Sequence, residues 1–371
     1  MQNLSILIIG GGIGGLTSAI ALGQKGFKVE IIEKDPEWSV YGVGIIQQSN
    51  VIRAVAELGI IDDYLEAGFP FDGLEIYLPN GDLAAKIPAP RLTEKYPAQL
   101  GISRRALQKV LVDRAKAEGA TVRLGLVAEQ IHTDTEAVSV EFSDGSSGRY
   151  DLVIGADGVY SQVRDMLFPE LPKPQFAGQS VWRYNFKRPS DMQALCVYEG
   201  QIGCGLVPLS QELMYMYVTT PEPGNPHYPR QGIAKSMRDK LKAASPRIAE
   251  LAEQITDDNG VVYKPLEWIM IEGDWYKDRV ILIGDAAHAT TPHLGQGAGM
   301  AIEDSLVLAD ELNRAKSIAE AFAGFQKRRY ERCRYIVESS VAISKGQIGE
   351  GPLLNNAEES AKMFQVIAEP I

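Results

Sequence analysis

Apolar positions in this chain come in short runs punctuated by glycine, and the first stretch is the clearest. Residues 4–35 read LSILIIGGGIGGLTSAIALGQKGFKVEIIEKD. The pattern predicts a buried strand, a glycine turn, a helix of small residues, and a second β-branched strand that closes on Glu33. A loop, WSVYGVGIIQQS, follows with Gly42 and Gly44 as its permissive points, then a helix near 49–59. From Gly73 the pattern turns strand-like (GLEIYLPNGDLAAKI), with Asn80-Gly81 as a hairpin signal. A helix is predicted from Ser103, its N-cap, to Glu118. Strands near 121–127 and 137–142 come next, and DLVIGADG is a further buried strand that runs into a turn.

The character changes between 175 and 268. Aromatic, alternating strands (SVWRYNFKRP, ALCVYEG, LMYMYVTT) precede a proline-rich loop at 221–229 and a charged helix near 230–255. DRVILIGDAAH then returns to the earlier strand-then-glycine style. The expected fold is α/β: a Rossmann-like nucleotide domain with an antiparallel-sheet domain inserted and a long helical section at the end. The boundaries predicted are 1–72, 99–174 and 269–300 for the first, and 73–98 with 175–268 for the inserted sheet. A helical section over 301–348 and a loose tail at 349–371 complete the chain. There is no internal repeat and no second GxGxxG.

With 371 residues, the chain has room for about two domains. A net charge of −11 argues against nucleic acid or an anionic membrane as a main partner. No apolar run reaches the ~18 residues of a membrane span, and the N-terminal apolar stretch reads as a first strand, not a signal peptide. The three cysteines and four histidines are too scattered for a disulfide framework or a metal cluster. A soluble, reduced, cytoplasmic protein is expected, a monomer or homodimer without a metal.

Three glycine motifs carry the chemistry. Gly10, Gly12 and Gly15 form the GxGxxG, and Glu33 follows Gly15 by 18 residues. Gly10 permits the tight turn, Gly12 lets the backbone approach a pyrophosphate, and Gly15 lets the helix pack closely. The acid would hold a ribose. In GADGVYSQVR, Asp157, Gly158, Ser161 and Arg164 stand at the end of a buried strand. There a carboxylate and an arginine can serve ribose and phosphates, or Asp157 can simply cap a helix. In GDAAHATTPHLGQGAGMAIED, Asp285 lies at a strand's carboxyl end, where ligands bind in parallel sheets. Pro292 stiffens the loop, and Gly295, Gln296, Gly297 and Gly299, with Ala298 among them, open a helix whose positive end suits an anionic ring edge.

Together these motifs, with GVGI at 42–45 and the arginine of ISRRAL, resemble the class A FAD-dependent aromatic hydroxylases, the group of para-hydroxybenzoate hydroxylase, over nearly the whole chain. The resemblance implies non-covalent FAD, NADH or NADPH as co-substrate, and hydroxylation of a small aromatic or heteroaromatic compound by molecular oxygen through a flavin C4a-hydroperoxide. It implies that Glu33 binds the adenosine ribose and Arg104 the pyrophosphate or ribityl chain. Asp157 and Gly158 would serve both FAD and NAD(P)H, Asp285 would bind the ribityl chain, and Pro292 with Gly295 to Gly299 would line the isoalloxazine. Alternatives are hydroxylation or epoxidation of a polycyclic natural product or antibiotic, a flavin reductase or oxidase without oxygen insertion, and a nucleotide-binding sensor.

Substrate candidates come from the inserted sheet and the flavin loop. Strand alternation sends Trp182 and Tyr184 to one face and Arg183 to the other, while Tyr215 and Tyr217 share a face. Arg183, Tyr217, Pro292 and His293 are the candidate catalytic residues, set against readings as core aromatics and a surface or domain-interface charge. His288 is expected to pack beneath the loop. The basic run Lys327, Arg328, Arg329, Arg332 and Arg334 is expected on a solvated or subunit-facing surface.

Overall fold

The computed structural model describes residues 4–40, 42–200 and 202–371. Its central sheet has six strands in the spatial order Tyr276–Lys277, Val280–Leu282, Leu152–Gly155, Ser5–Ile9, Lys28–Glu33 and Thr121–Leu124. All neighbours run parallel except the short edge hairpin at Tyr276–Lys277. Parallel strands are covered on both faces, which explains why ILII and LVI are continuously apolar: Leu7, Ile8, Val153 and Ile154 are wholly shut off from solvent. The helix Ile13–Gln24 packs against the helix Gly297–Arg314. The first and last glycine motifs are thereby brought side by side.

A seven-stranded sheet forms the second body, in the order Val262–Trp268, Gln175–Lys187, Leu213–Pro221, Gly203–Pro208, Leu195–Tyr198, Gly73–Tyr77 and Leu83–Pro88. Its alternation gives two different faces. Trp182, Phe186, Met214, Met216, Cys204 and Leu206 pack beneath the helices Ile233–Lys240 and Pro246–Ala252. Tyr215, Val207 and Leu209 face the other way, with Val43 and Phe69. Between the two bodies lies a three-stranded sheet of Gly44–Gln48, Gln99–Ser103 and Phe69–Phe71. Contact there is tight: a Cβ on Gly101 would fall 1.9 Å from the Pro208 carbonyl oxygen.

Several expectations are corrected. The charged helix near 230–255 is two helices, the second starting at Pro246, whose ring suits a first helical position. Of the basic run, Lys327 and Arg334 are exposed as expected, but the middle of it is not a solvated surface. Arg329 is fully buried between Glu303 and Asp304, and Arg332 joins it on Glu303. Nor is 349–371 loose. Asn356–Ala368 is a helix that buries Met363 and Ile367, one turn apart on a single face. Arg53 and Arg332 then donate to the carbonyls of residues 367 to 370. The glutamates around that short stripe hid it from a reading by composition.

Ile367→Ala is expected to lower unfolding stability by about 2–5 kcal/mol, as for a buried large-to-small change. Urea denaturation of the FAD-loaded protein measures it, and an unattached tail would give no change.

Candidate active site

The first glycine turn is shaped by what it touches. Gly10 has φ +111, and a Cβ there would lie 2.4 Å from the Ala156 carbonyl oxygen, so the turn is locked to the ADG segment. A Cβ on Gly15 would lie 1.9 Å from the Gly10 carbonyl oxygen, whereas one on Gly12 would meet open space. No side chain caps the helix that follows, and its first turn has no acid, so its leading N–H groups are available to a ligand. Elsewhere Ser103, Ser161, Ser317 and Asn355 do cap their helices. The turn opens on a cleft of 540 Å³ lined by Gly11, Gly12, Glu33, Trp38, Arg104 and Gln108.

Glu33 is fixed inside that cleft. Its Oε2 accepts from the Gly11 N–H at 2.8 Å and its Oε1 from the Asp35 N–H at 3.0 Å. Trp38, at φ +48, donates its indole N–H to the Gly11 carbonyl at 2.9 Å and walls the cleft. Nothing in the spacing of the motifs pointed to this tryptophan.

Further along, the two bodies bring charged groups together that have no partner of their own. The side chains of Arg104, Asp285 and Arg183 make no hydrogen bond or ion pair among the described residues, and the Arg183 Nε is shut off from solvent. Arg104 lies against Gly42, where a Cβ would sit 2.8 Å from its Cδ. Burial lowers the pKa of both arginines, while Asp285 and Tyr215 draw Arg104 back up and Tyr215 does so for Arg183. Asp285 is exposed, yet the protein around it pushes its carboxyl pKa up against the pull of His288 and Arg104. On the sheet, Arg183 pairs directly with Tyr217, and Tyr215 follows on the same face. Arg183 is therefore a half-buried group on the face between the two bodies, where the domain-interface reading would also put it. Burial raises the pKa of Tyr215 and of Tyr217, which keeps both phenols protonated.

The loop between Asp285 and the helix Gly297–Arg314 is held by amides. Gln48 donates to the Leu294 carbonyl at 3.0 Å. Asn50 donates to Gln296 Oε1 at 3.0 Å and to Glu303 Oε1 at 2.9 Å, and Gln296 Nε2 returns a bond to Asn50 Oδ1 at 3.2 Å. Behind them Asp304 accepts from the Gly284 N–H, His288 Nε2 and Arg329 Nε at 2.9, 2.7 and 2.8 Å. Burial would raise its pKa, but His288 and Arg329 outweigh that and hold it at about 2. His288, Asp304 and Cys333 lie within 4.8 Å of one another, and Arg329 already bonds to both Asp304 and Cys333. The cationic partner of this trio is thus a guanidinium. The role of Gln48, Asn50, Glu303 and Arg329 was not read from the sequence, because the segments that carry them meet only in the fold.

Two candidates are engaged in local bonds. Asp157 caps the helix Gln162–Leu167, accepting from Ser161 Oγ and the N–H groups of residues 162 and 163, and Gly158 beside it takes φ +84. His293 has Nδ1 at 3.0 Å from Thr291 Oγ1 and Nε2 at 3.1 Å from Gln347 Oε1, which ties the loop to the long helix Ile318–Gln347. Pro292 beside it is exposed. Gly295 takes φ +67 at the loop's end, and no side chain caps the helix that begins at Gly297 and Ala298.

Comparison with known proteins decides the family. The FAD binding domain family matches residues 3–321. The chain belongs to the class A FAD-dependent aromatic hydroxylases. It is an FAD-dependent monooxygenase. It is 30% identical over 360 residues to 3-hydroxybenzoate 6-hydroxylase of Polaromonas naphthalenivorans, covering 91% of this chain and 86% of the relative. To 6-hydroxynicotinate 3-monooxygenase of Pseudomonas fluorescens it is 28% identical over 355 residues, 89% of each chain. The crystal structure of a single-residue variant of Klebsiella pneumoniae HpxO, complexed with FAD, superposes with a TM-score of 0.84 at 25% identity, over 99% of this chain and 95% of that one. The residues present fit FAD: an open glycine cradle, free helix N–H groups at two places, and unpartnered charges of both signs between them. No helix among the described residues is long and apolar enough to cross a membrane.

Two outcomes follow from the loop. Asn50→Leu leaves the Gln296 and Glu303 acceptors short of a donor, at about 1–3 kcal/mol each. Weaker FAD retention and an altered flavin absorption band are expected, read by equilibrium dialysis and visible spectroscopy. Burial, opposed in part by Gln347, lowers the His293 pKa to about 4. The unfolded chain therefore binds a proton near pH 6.5 that the folded chain refuses until about pH 4. Stability should fall as pH drops through that window. His293→Asn should remove one proton's worth of that slope in denaturation curves taken between about pH 7 and pH 4.5.

Proposed function

We propose that this monooxygenase takes electrons from NADH or NADPH and inserts one atom of molecular oxygen into a small aromatic or heteroaromatic acid. The substrate would lie between the seven-stranded sheet and the loop at 291–299. The observation that carries this is Arg183: a half-buried guanidinium with an unpaired Nε, directly across from Tyr217 on the face turned toward the flavin domain. An unpartnered buried cation is costly unless a ligand completes it. A carboxylate matches its planar fork. Support also comes from 3-hydroxybenzoate 6-hydroxylase and 6-hydroxynicotinate 3-monooxygenase, whose names give ring acids as what they act on.

In this reading Glu33 holds the adenosine ribose, and the uncapped helix behind Gly10, Gly12 and Gly15 faces the pyrophosphate with Arg104. Asp157 and Gly158 shape the turn beneath the cofactor, and Asp285 holds the ribityl chain. Pro292, Gly295, Gly297 and Ala298 line the ring. When bound, FAD supplies the two-electron reduction and the activation of oxygen. The protein's own part is to position the substrate and keep water out. Tyr215 and Tyr217, protonated by virtue of burial, serve as hydrogen-bond donors to a ring substituent, not as bases. Val207, Leu209 and Val43 supply the apolar wall. His293 acts as a tether of the loop.

Arg183→Met should raise the apparent KM for the best ring acid by about 10- to 150-fold, the equivalent of a lost charged hydrogen bond, with FAD content unchanged. A screen of aromatic acids for stimulated NAD(P)H oxidation, with isotopic oxygen traced into product by mass spectrometry, tests the reaction itself. Product without an atom from molecular oxygen overturns the reading in favour of a reductase or oxidase.

A further inference from the structure

The helix Ile318–Gln347 packs on both the turn Pro292–Leu294 and the strand Gln175–Lys187. Its end meets that strand where the pairing with Val262–Trp268 breaks register, between Phe176 and Ser180. Gly178 there takes φ +79, and a Cβ on it would lie 2.4 Å from Ile348 Cδ1, so the helix end is seated in the strand's irregularity. Gln179, 2% exposed, spans the joint: its Oε1 accepts from Ser344 Oγ at 2.8 Å and its Nε2 donates to Gln347 Oε1 at 3.1 Å. The same Gln347 oxygen lies 3.1 Å from His293 Nε2. An amide oxygen only accepts, so His293 carries its proton on Nε2 and accepts from the Thr291 hydroxyl on Nδ1, 3.0 Å away. From Thr291 to Ser344 the bonds form one unbroken chain of neutral groups.

Taking the loop at 291–299 as the flavin's wall and Arg183 as the substrate's partner, as read above, we propose that Gln347 and Gln179 are positioning residues for the reaction. They form a strut that holds the loop in register with the strand carrying Arg183. Gln179 and Arg183 are four residues apart in an unbroken register with Leu213–Pro221, hence on the same face and about 13 Å apart. Val181, between them on that face, packs with Tyr217. A loop that slides against this strand changes the distance from flavin ring to substrate, and a misplacement of about 1 Å can cost roughly 100-fold in rate. The flavin loop and the substrate strand belong to different bodies, and one amide oxygen on a third element joins them.

The test uses the FAD-loaded enzyme. Gln347 is exposed, so Gln347→Ala should fold and keep its FAD. It should nevertheless speed amide hydrogen exchange across 289–299 at least threefold and shift the visible flavin band. Gln179→Ala should do the same, and the double variant should be no worse than either single one, because each removes the same strut. Gln347→Glu, which keeps an oxygen for both donors, should restore loop protection and band. In turnover of the aromatic acid that the screen above selects, Gln347→Ala should leave KM within twofold and raise the hydrogen peroxide released per NAD(P)H at least threefold. An NAD(P)H whose two electrons put no oxygen atom into the ring passes them, with two protons, to oxygen as peroxide. Alanine effects that simply add, a loop equally protected in Gln347→Ala, or an unchanged peroxide yield with an acid that gains oxygen would each overturn the inference. A screen that yields no product carrying an atom from molecular oxygen counts against the proposed reaction alone, since the exchange and band measurements need no substrate.

Discussion

Asp304 is the carboxylate on which the site's geometry turns. It is fully buried and accepts from the Gly284 N–H, His288 and Arg329, three donors that belong to a strand end, a short helix and the long C-terminal helix. The Gly284 bond fixes the turn that carries Asp285, and the Arg329 bond fixes the helix whose N-terminal end is uncapped. Burying such ions costs several kcal/mol each before their mutual attraction is counted. The arrangement is tolerable because Arg329 is bonded on every side, to Asp304, Glu303, the Met300 carbonyl and Cys333. Removing one partner would leave a charge stranded, so the network acts as a register device for the glycine motifs.

Charge is graded outward from that centre. Glu303 passes from Arg329 and Arg332 to Asn50, and beyond Asn50 the chain of bonds is made of neutral amides, Gln296 and Gln48, up to the loop carbonyl of Leu294. The formal charges are thus kept one step behind the loop. What the loop leads into is backbone N–H at an uncapped helix end, a fixed dipole that needs no proton and no counter-ion. A neutral His293, bonded through both ring nitrogens, continues the same pattern on the far side of the loop.

The parts of this design that were legible in the sequence are those with local physical causes. Gly10 and Gly15 are glycines because backbone oxygens stand at 2.4 and 1.9 Å from where a Cβ would be, and such positions leave a mark at fixed spacing. ILII and LVI read as buried parallel strands because they have no polar face. Alternation alone set Arg183 and Tyr217 on named faces, but only the cross-strand register showed them paired and turned inward. The run at 327–334 misled because charge along a helix is ordinarily solvated. Its partners Glu303 and Asp304 are 26 and 25 residues away in the chain and lie on another helix. The helix Asn356–Ala368 was missed for the opposite reason: its apolar stripe is two residues wide, and what holds it is Arg53, more than 300 residues away in the chain.

The same logic separates two kinds of unpaired polar group in this chain. Ion pairs at the surface are weakly held and say little about function. Arg104 and Arg183 are different: both are half-buried, neither has a partner among the described residues, and with Asp285 they converge where two bodies meet. Arg329 and Arg332 are fully satisfied, whereas the two half-buried arginines are not, and the proposed reading assigns them to ligands. In the proposed reading the two arginines would meet anionic groups and the aspartate hydroxyls, as a flavin nucleotide beside an aromatic acid would bring them.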